Sequence, residues 1–138
     1  MKNYWLVKSE PEEYGYDHLK QDGTGRWDGV RNYQARNFMK EMNKGDEVLF
    51  YHSGRRREIV GLAEVVKEAY ADPGAEDEGK GWVAVDLKAA GRLEACVSLD
   101  TIKGDPAFEE FLLVKQPRLS VMPVEKALFE KIIAMSKG

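Results

Sequence analysis

The sequence predicts an α+β domain: a curled antiparallel β-sheet or small β-barrel flanked by short helices. Two observations lead there. Strand-like runs, short and rich in β-branched and aromatic residues, outnumber helical ones. The helical patterns are scattered among the strands and never alternate with them one for one, which argues against a doubly wound parallel sheet.

The elements follow in order. Tyr4–Lys8, YWLVK, is a short apolar strand. Pro11 ends it, because proline cannot donate to a ladder and pushes its predecessor out of the helical region. A brief helix is expected over Asp17–Lys20. The clearest helix comes next: Ala35, Phe38, Met39 and Met42 fall at i, i+3, i+4 and i+7, with Asn32 placed to cap the start and Gly45 to close the end. DEVLFYHS (46–53) and EIVGLAEVVKEAY (58–70) read as strands of a half-exposed sheet. ADPGAEDEGKG (71–81) is a loop by composition. WVAVDLKAA (82–90) and LEACVSL (93–99) read as a hairpin joined at Gly91, with Trp82, Val83, Val85 and Leu87 supplying bulk. A short helix near Pro106 to Phe111, the strand RLSVMPV (118–124) and a terminal helix from about Val124 complete the chain. Val124, Leu128, Ile132 and Met135 mark the inner face of that last helix.

A length of 138 residues with 43% hydrophobic and 33% charged residues suits one globular domain over residues 1–138. The lone cysteine, Cys96, excludes a disulfide framework and favours a reducing compartment; lying in an apolar alternating segment, it reads as a buried structural thiol. No zinc spacing is present. No run approaches the ~18 apolar residues of a membrane helix, and no positive region precedes an apolar one at the start. The expectation is a cytoplasmic monomer without membrane attachment.

Net charge is −3, which argues against gripping polyanions by bulk electrostatics. The distribution is uneven. From Arg26 to Arg57 eight Lys or Arg face four acids, a local excess of four, while Asp72, Glu76, Asp77 and Glu78 concentrate the acidity. Such a face can orient a phosphate-bearing ligand or can simply be solvated.

Catalytic chemistry has no motif. His52 adjoins Ser53, but neighbours on a strand point to opposite faces and make no dyad. His18 lies on a polar helix and reads as exposed. There is no nucleophile elbow, P-loop, dinucleotide fingerprint or metal-binding H-E-x-x-H, so neither an enzyme nor a cofactor or metal is expected. Binding has more material. Lys8 and Ser9 sit at a strand end, where turn bonding and ligand contact are both open readings. Trp27 lies between Gly25 and Gly29, in a stretch too polar for a core strand; it could pack over the following helix or face a ligand. Tyr51, His52 and Ser53 end a strand before Arg55, Arg56 and Arg57, which is either a surface turn or a phosphate-facing edge.

The runs YWLVKSEP, RWDGVRNYQARNFMK, GDEVLFYHS, IVGLAEVVKEAY, WVAVDLK and RLSVMPV, in this order over nearly the whole chain, closely resemble the EVE domain family. That family looks like a branch of the PUA-like superfamily, related to the YTH readers of methylated adenine in RNA. The resemblance implies a non-enzymatic reader that takes a modified base into an aromatic pocket, with modified cytosine in DNA the associated ligand. RNA and a free nucleoside or other planar small molecule stay open as alternatives. By the W-x-G-V-R-N match, Trp27 is the stacking wall, with Val30, Arg31 and Asn32 at its rim. K-S-E-P puts Lys8 and Ser9 at the floor, F-Y-H-S brings in Tyr51, His52 and Ser53, and R-L-S-V brings in Arg118 and Ser120. Ala71 stands where members often carry proline, and the loop from Asp72 to Gly81 looks shorter than usual. A base–aromatic stack contributes ~1–3 kcal/mol while extruding a base costs a few kcal/mol, so Trp27 alone does not suffice: either the ligand is single-stranded, or a second aromatic and phosphate contacts, assigned to Arg55, Arg56 and Arg57, supply the rest. Replacing Trp27 by Ala is expected to weaken binding at least roughly tenfold without unfolding the protein.

Overall fold

The computed structural model describes residues 2–76 and 78–138; Asp77, which falls in the expected loop, lies outside them. Six strands form a curled sheet that does not close: β1 (Tyr4–Ser9), β2 (Thr24–Trp27), β3 (Glu47–His52), β4 (Glu58–Ala71), β5 (Val83–Ser98) and β6 (Val121–Val124), in the order β2-β5-β4-β3-β1-β6. Helices α1 (Pro11–Tyr14), α2 (Tyr16–Asp22), α3 (Tyr33–Glu41), α4 (Leu99–Lys103), α5 (Leu112–Lys115) and α6 (Lys126–Lys137) flank it. The α+β architecture is the one the sequence predicts. The sheet is mixed, however, because β1 and β3 run parallel, Lys8 beside Tyr51 and Ser9 beside His52. A parallel pair needs a long crossover, and α1, α2, β2 and α3 all lie within it.

Curling comes from β4 and β5, whose pairing slips register at four places. Each slip leaves one or more residues out of register, which bends the strand and increases its twist. The expected hairpin at Gly91 is not formed. Val83–Ser98 is one continuous strand paired along β4, and Gly91 is a bend within it, at φ 127°, opposite Leu62. Its amide donates to the Tyr16 hydroxyl at 2.9 Å. Glycine marks a bend and a turn alike, so the pattern alone could not separate them.

β2 also departs from expectation. Thr24–Trp27 is an edge strand, pairing Gly25 with Leu87 and Trp27 with Val85, and its residues alternate exposed and buried. At four residues it is too short to carry a periodicity. Asn32 caps α3 as predicted, its side-chain oxygen accepting from the Ala35 amide at 2.9 Å. The helix stops at an extended Met42, and Gly45 sits beyond it in the turn before β3, at φ 96°.

The core gathers Trp5, Leu6 and Val7 of β1, Leu49 and Phe50 of β3, Val85 and Leu87 of β5, Tyr16 and Leu19 of α2, and Ala35 and Met39 of α3. On α6 the buried residues are Phe129, Ile132 and Ser136, with Leu128 and Met135 only half-buried, so the inner face is rotated from the expected one. A 3-10 turn at Pro106–Phe108 occupies the start of the short helix expected there. Cys96 is exposed, because that half of β5 runs beyond the core; the buried-thiol reading is corrected. Among the described residues no helix is long and apolar enough to cross a membrane.

Candidate functional site: a cavity beside Trp27

Residues at the ends of β1 and β2 border a cavity of about 390 Å³, lined by Lys8, Ser9, Tyr14, Arg26, Trp27, Asp28, Gly29, Val30, Arg31 and Ser120. That size is near the lower end of small-molecule sites, roughly 300–1,000 Å³. Among the described residues larger recesses lie elsewhere, one against Trp5 and Phe38 and another against Trp82, but neither gathers the residues singled out from the sequence.

Each wall has a local cause. β1 ends at Ser9, whose hydroxyl donates to the Tyr14 carbonyl at 2.6 Å and ties the strand end to α1. Tyr14 is thereby set beside Trp27, ring centroids 6.2 Å apart in an edge contact. A second edge contact, at 5.4 Å, joins Trp27 to the buried Phe50. Trp27 is therefore 8% exposed, a core residue that also borders the cavity. Lys8 is half-buried, donates from Nζ to the Pro117 carbonyl at 2.8 Å and lies 5.6 Å from the centre of the Tyr51 ring. Burial lowers its pKa from the ordinary lysine value. Its backbone amide donates to the Ser120 carbonyl at 2.9 Å, which holds the β6 approach against the same wall.

The rim is organised by a residue that sequence reasoning missed. Asp72 is buried; its Oδ2 accepts from the Gly29 amide and from Arg31 Nη1, both at 2.9 Å, and its Oδ1 accepts from the Gly74 amide at 2.8 Å. Burial pushes this carboxyl up, but the bonds from Gly29, Arg31 and Gly74 outweigh it, and the pKa lies below the usual carboxylate value. The loop whose contacts the sequence left open thus fixes the Gly29–Arg31 edge. Asp-Pro-Gly was a legible signal, since Asp commonly bonds the backbone two residues on. Tyr14, Arg26 and Asp28 carried no comparable mark. Tyr14 donates its hydroxyl to Asp22 at 2.9 Å; burial, then that bond, pushes its pKa up to about 12.

The other expected site residues lie apart from this cavity. Asn32 is occupied as the α3 cap and shares a shallow recess with Arg118, Gln34 and Gln116. Tyr51 is buried beneath Lys8. His52 is half-buried, and its Nε2 accepts the Tyr16 amide at 3.0 Å. Ser53, Arg55 and Arg56 border a separate recess with Glu10 and Glu12, Arg56 lies 4.0 Å from Glu58, and Arg57 is an exposed turn residue at φ 45°. Among the described residues no group of three or more His, Cys, Asp or Glu is placed to hold a metal ion.

An open, curled sheet flanked by helices, with a cavity at the strand ends, defines a PUA-like fold. The chain belongs to the EVE domain family, which it matches over residues 3–135. It is 35% identical to rat (Rattus norvegicus) thymocyte nuclear protein 1, over 100% of this chain and 75% of the relative. A solved protein of Agrobacterium tumefaciens superposes with a TM-score of 0.93 at 40% identity, covering 97% of this chain and 92% of that one. The human (Homo sapiens) THYN1 protein, solved in complex with DNA containing 5-methylcytosine, superposes with a TM-score of 0.89 at 31% identity, covering 99% of both chains.

Proposed function

We propose that residues 1–138 form a single non-catalytic reader module that takes a modified base, in the first place 5-methylcytosine in DNA, into the cavity beside Trp27. The observation that carries this reading is the likeness to the human THYN1 protein solved with 5-methylcytosine DNA, at 31% identity over nearly the full chain. The convergence of Lys8, Ser9, Trp27, Val30, Arg31 and Ser120 on one cavity supports it.

In this reading Trp27 and Tyr14 give the aromatic wall, Val30 the apolar contact, and Ser9, Arg31 and Ser120 the hydrogen bonds to the base edge. Lys8 closes the floor. Tyr51 and His52 act from behind, Tyr51 under Lys8 and His52 by holding the start of α2. Asn32 sets the helix entry beside the rim, while Ser53, Arg118 and the turn of Arg55, Arg56 and Arg57 meet the backbone outside. One additional methyl group in an apolar recess contributes ~1–3 kcal/mol, roughly 10- to 200-fold.

A net charge of −3, with carboxylates among the arginines of that turn, favours a second reading in which the ligand is a free modified nucleoside. Titration of matched oligonucleotides and nucleosides at several salt concentrations tests both. The reader predicts tighter binding of the methylated oligonucleotide, weakening steeply with salt. Binding of the nucleoside alone, indifferent to salt, selects the second reading, and equal affinity for methylated and plain bases refutes the modified-base assignment.

A further inference from the structure

Tyr33 is the large hydrophobic side chain left exposed among the described residues, 54% open at the first turn of α3. Its ring stacks on Trp82, centroids 5.1 Å apart and planes 21° from parallel. The Arg36 guanidinium lies 4.9 Å from the Tyr33 ring centre and 5.8 Å from that of Trp82, and donates to the Lys80 carbonyl. On the cavity side Arg31 lies 5.5 Å from the Trp82 ring centre. Arg31 therefore belongs both to the cavity rim and to this stack, and the two features form one continuous surface.

Covering Trp82 does not in itself call for an aromatic ring; an aliphatic side chain would do that. A flat ring with half its surface in water, next to a guanidinium, is instead the chemistry on which a nucleobase stacks, while the arginine approaches the phosphate. Lys40, exposed one turn along α3, adds a further positive charge on the same side.

We propose that Tyr33, backed by Trp82 and flanked by Arg31 and Arg36, is a second binding platform, which holds a base adjacent to the one in the cavity. The occupant is a single-stranded or locally opened nucleic-acid strand. This platform rests on the cavity reading and extends it from one base to a short track.

The test compares two probes, a short single-stranded DNA carrying one 5-methylcytosine and the free nucleoside 5-methyl-2′-deoxycytidine. Tyr33→Ala should weaken oligonucleotide binding by about 5- to 150-fold, the range of one base–aromatic stack, and leave nucleoside binding unchanged. Tyr33→Leu keeps an apolar cover over Trp82 and should lose the same affinity in a protein that stays folded. Tyr33→Phe should bind as the wild type does. Oligonucleotide affinity unchanged in Tyr33→Ala and Tyr33→Leu overturns the platform while leaving the cavity reading intact. Wild-type protein that binds methylated and plain oligonucleotides equally overturns the cavity reading, and the platform with it.

Discussion

Asp72 and Arg31 share a 2.9 Å ion pair whose carboxylate is buried and whose guanidinium reaches the surface, and the same carboxylate oxygen holds the Gly29 amide. The acidic loop and the Gly29–Arg31 rim therefore act as one piece, with its hydrogen bonds made before any ligand arrives.

Asp72→Asn removes the charge and turns an amide group toward donors. A loss of about 1–3 kcal/mol is expected, and binding should weaken on the order of tenfold as the rim loosens. The stability difference has a pH signature. The folded carboxyl titrates below its ordinary value of about 3.9, so its contribution is complete above that pH and is lost as pH falls through the folded value. Urea denaturation should show the gap between wild type and Asp72→Asn constant from pH 7 to about 5 and closing toward pH 3. A gap that persists in acid contradicts the assignment.

Trp27 requires a revised experiment. With 8% exposure and edge contacts to Tyr14 and Phe50, Trp27→Ala removes core volume, at about 3–5 kcal/mol. That is a large share of a typical 5–15 kcal/mol. Trp27→Ala is expected to lose much of the protein's stability as well as affinity, so its binding loss does not isolate the stacking contact. Trp27→Phe keeps a ring and should lose less stability; denaturation of both variants checks the order. The fold-intact affinity comparison belongs to Trp27→Phe.

His52 accepts the Tyr16 amide through Nε2, a bond only the unprotonated nitrogen can make. Burial, then the charge of Arg92, lowers its pKa below 6.5; Arg56 acts the same way, while Glu58 and Asp17 oppose it. The unfolded chain thus takes up a proton before the folded one does. This contribution is complete above about pH 6.5 and is lost as pH falls toward the folded value. Wild type should lose more stability than His52→Gln between pH 7.5 and 5.5. Parallel losses would show that His52 does not titrate in that window.

Gly61 has no room for a side chain: a Cβ there would lie 2.6 Å from the Tyr16 ring. Tyr16 cannot easily yield, since it is fully buried and its hydroxyl donates to the Leu62 carbonyl at 2.7 Å and accepts from Gly91. Gly61→Ala should cost about 1–3 kcal/mol, read as a lowered denaturation midpoint.

What the sequence revealed follows from how local each signal is. Asn32 and the 3.6-residue spacing of Ala35, Met39 and Met42 specify α3 within a dozen residues. The bend at Gly91 and the closeness of Gly61 to Tyr16 depend on partners far along the chain, and no window contains them. The cavity divides likewise. Lys8, Ser9, Trp27, Val30, Arg31 and Ser120 belong to motifs that brought them out before any coordinates, whereas Tyr14 and Asp72 reach the rim only through folding. Arg55 and Arg56, read as phosphate contacts because they follow Tyr51 and Ser53, border a different recess past the turn at Gly54.

The three tryptophans, Trp5, Trp27 and Trp82, give three indole N–H signals, and one nitrogen-15 NMR titration with an oligonucleotide carrying a single 5-methylcytosine reads them together. Trp27 borders the cavity, whereas the Trp5 indole is held by the Asp46 carboxylate at 2.9 Å, away from it. A base entering the cavity shifts the Trp27 signal with the Gly29 and Arg31 amides and leaves Trp5 in place. Saturable binding that leaves Trp27, Gly29 and Arg31 unshifted contradicts the account.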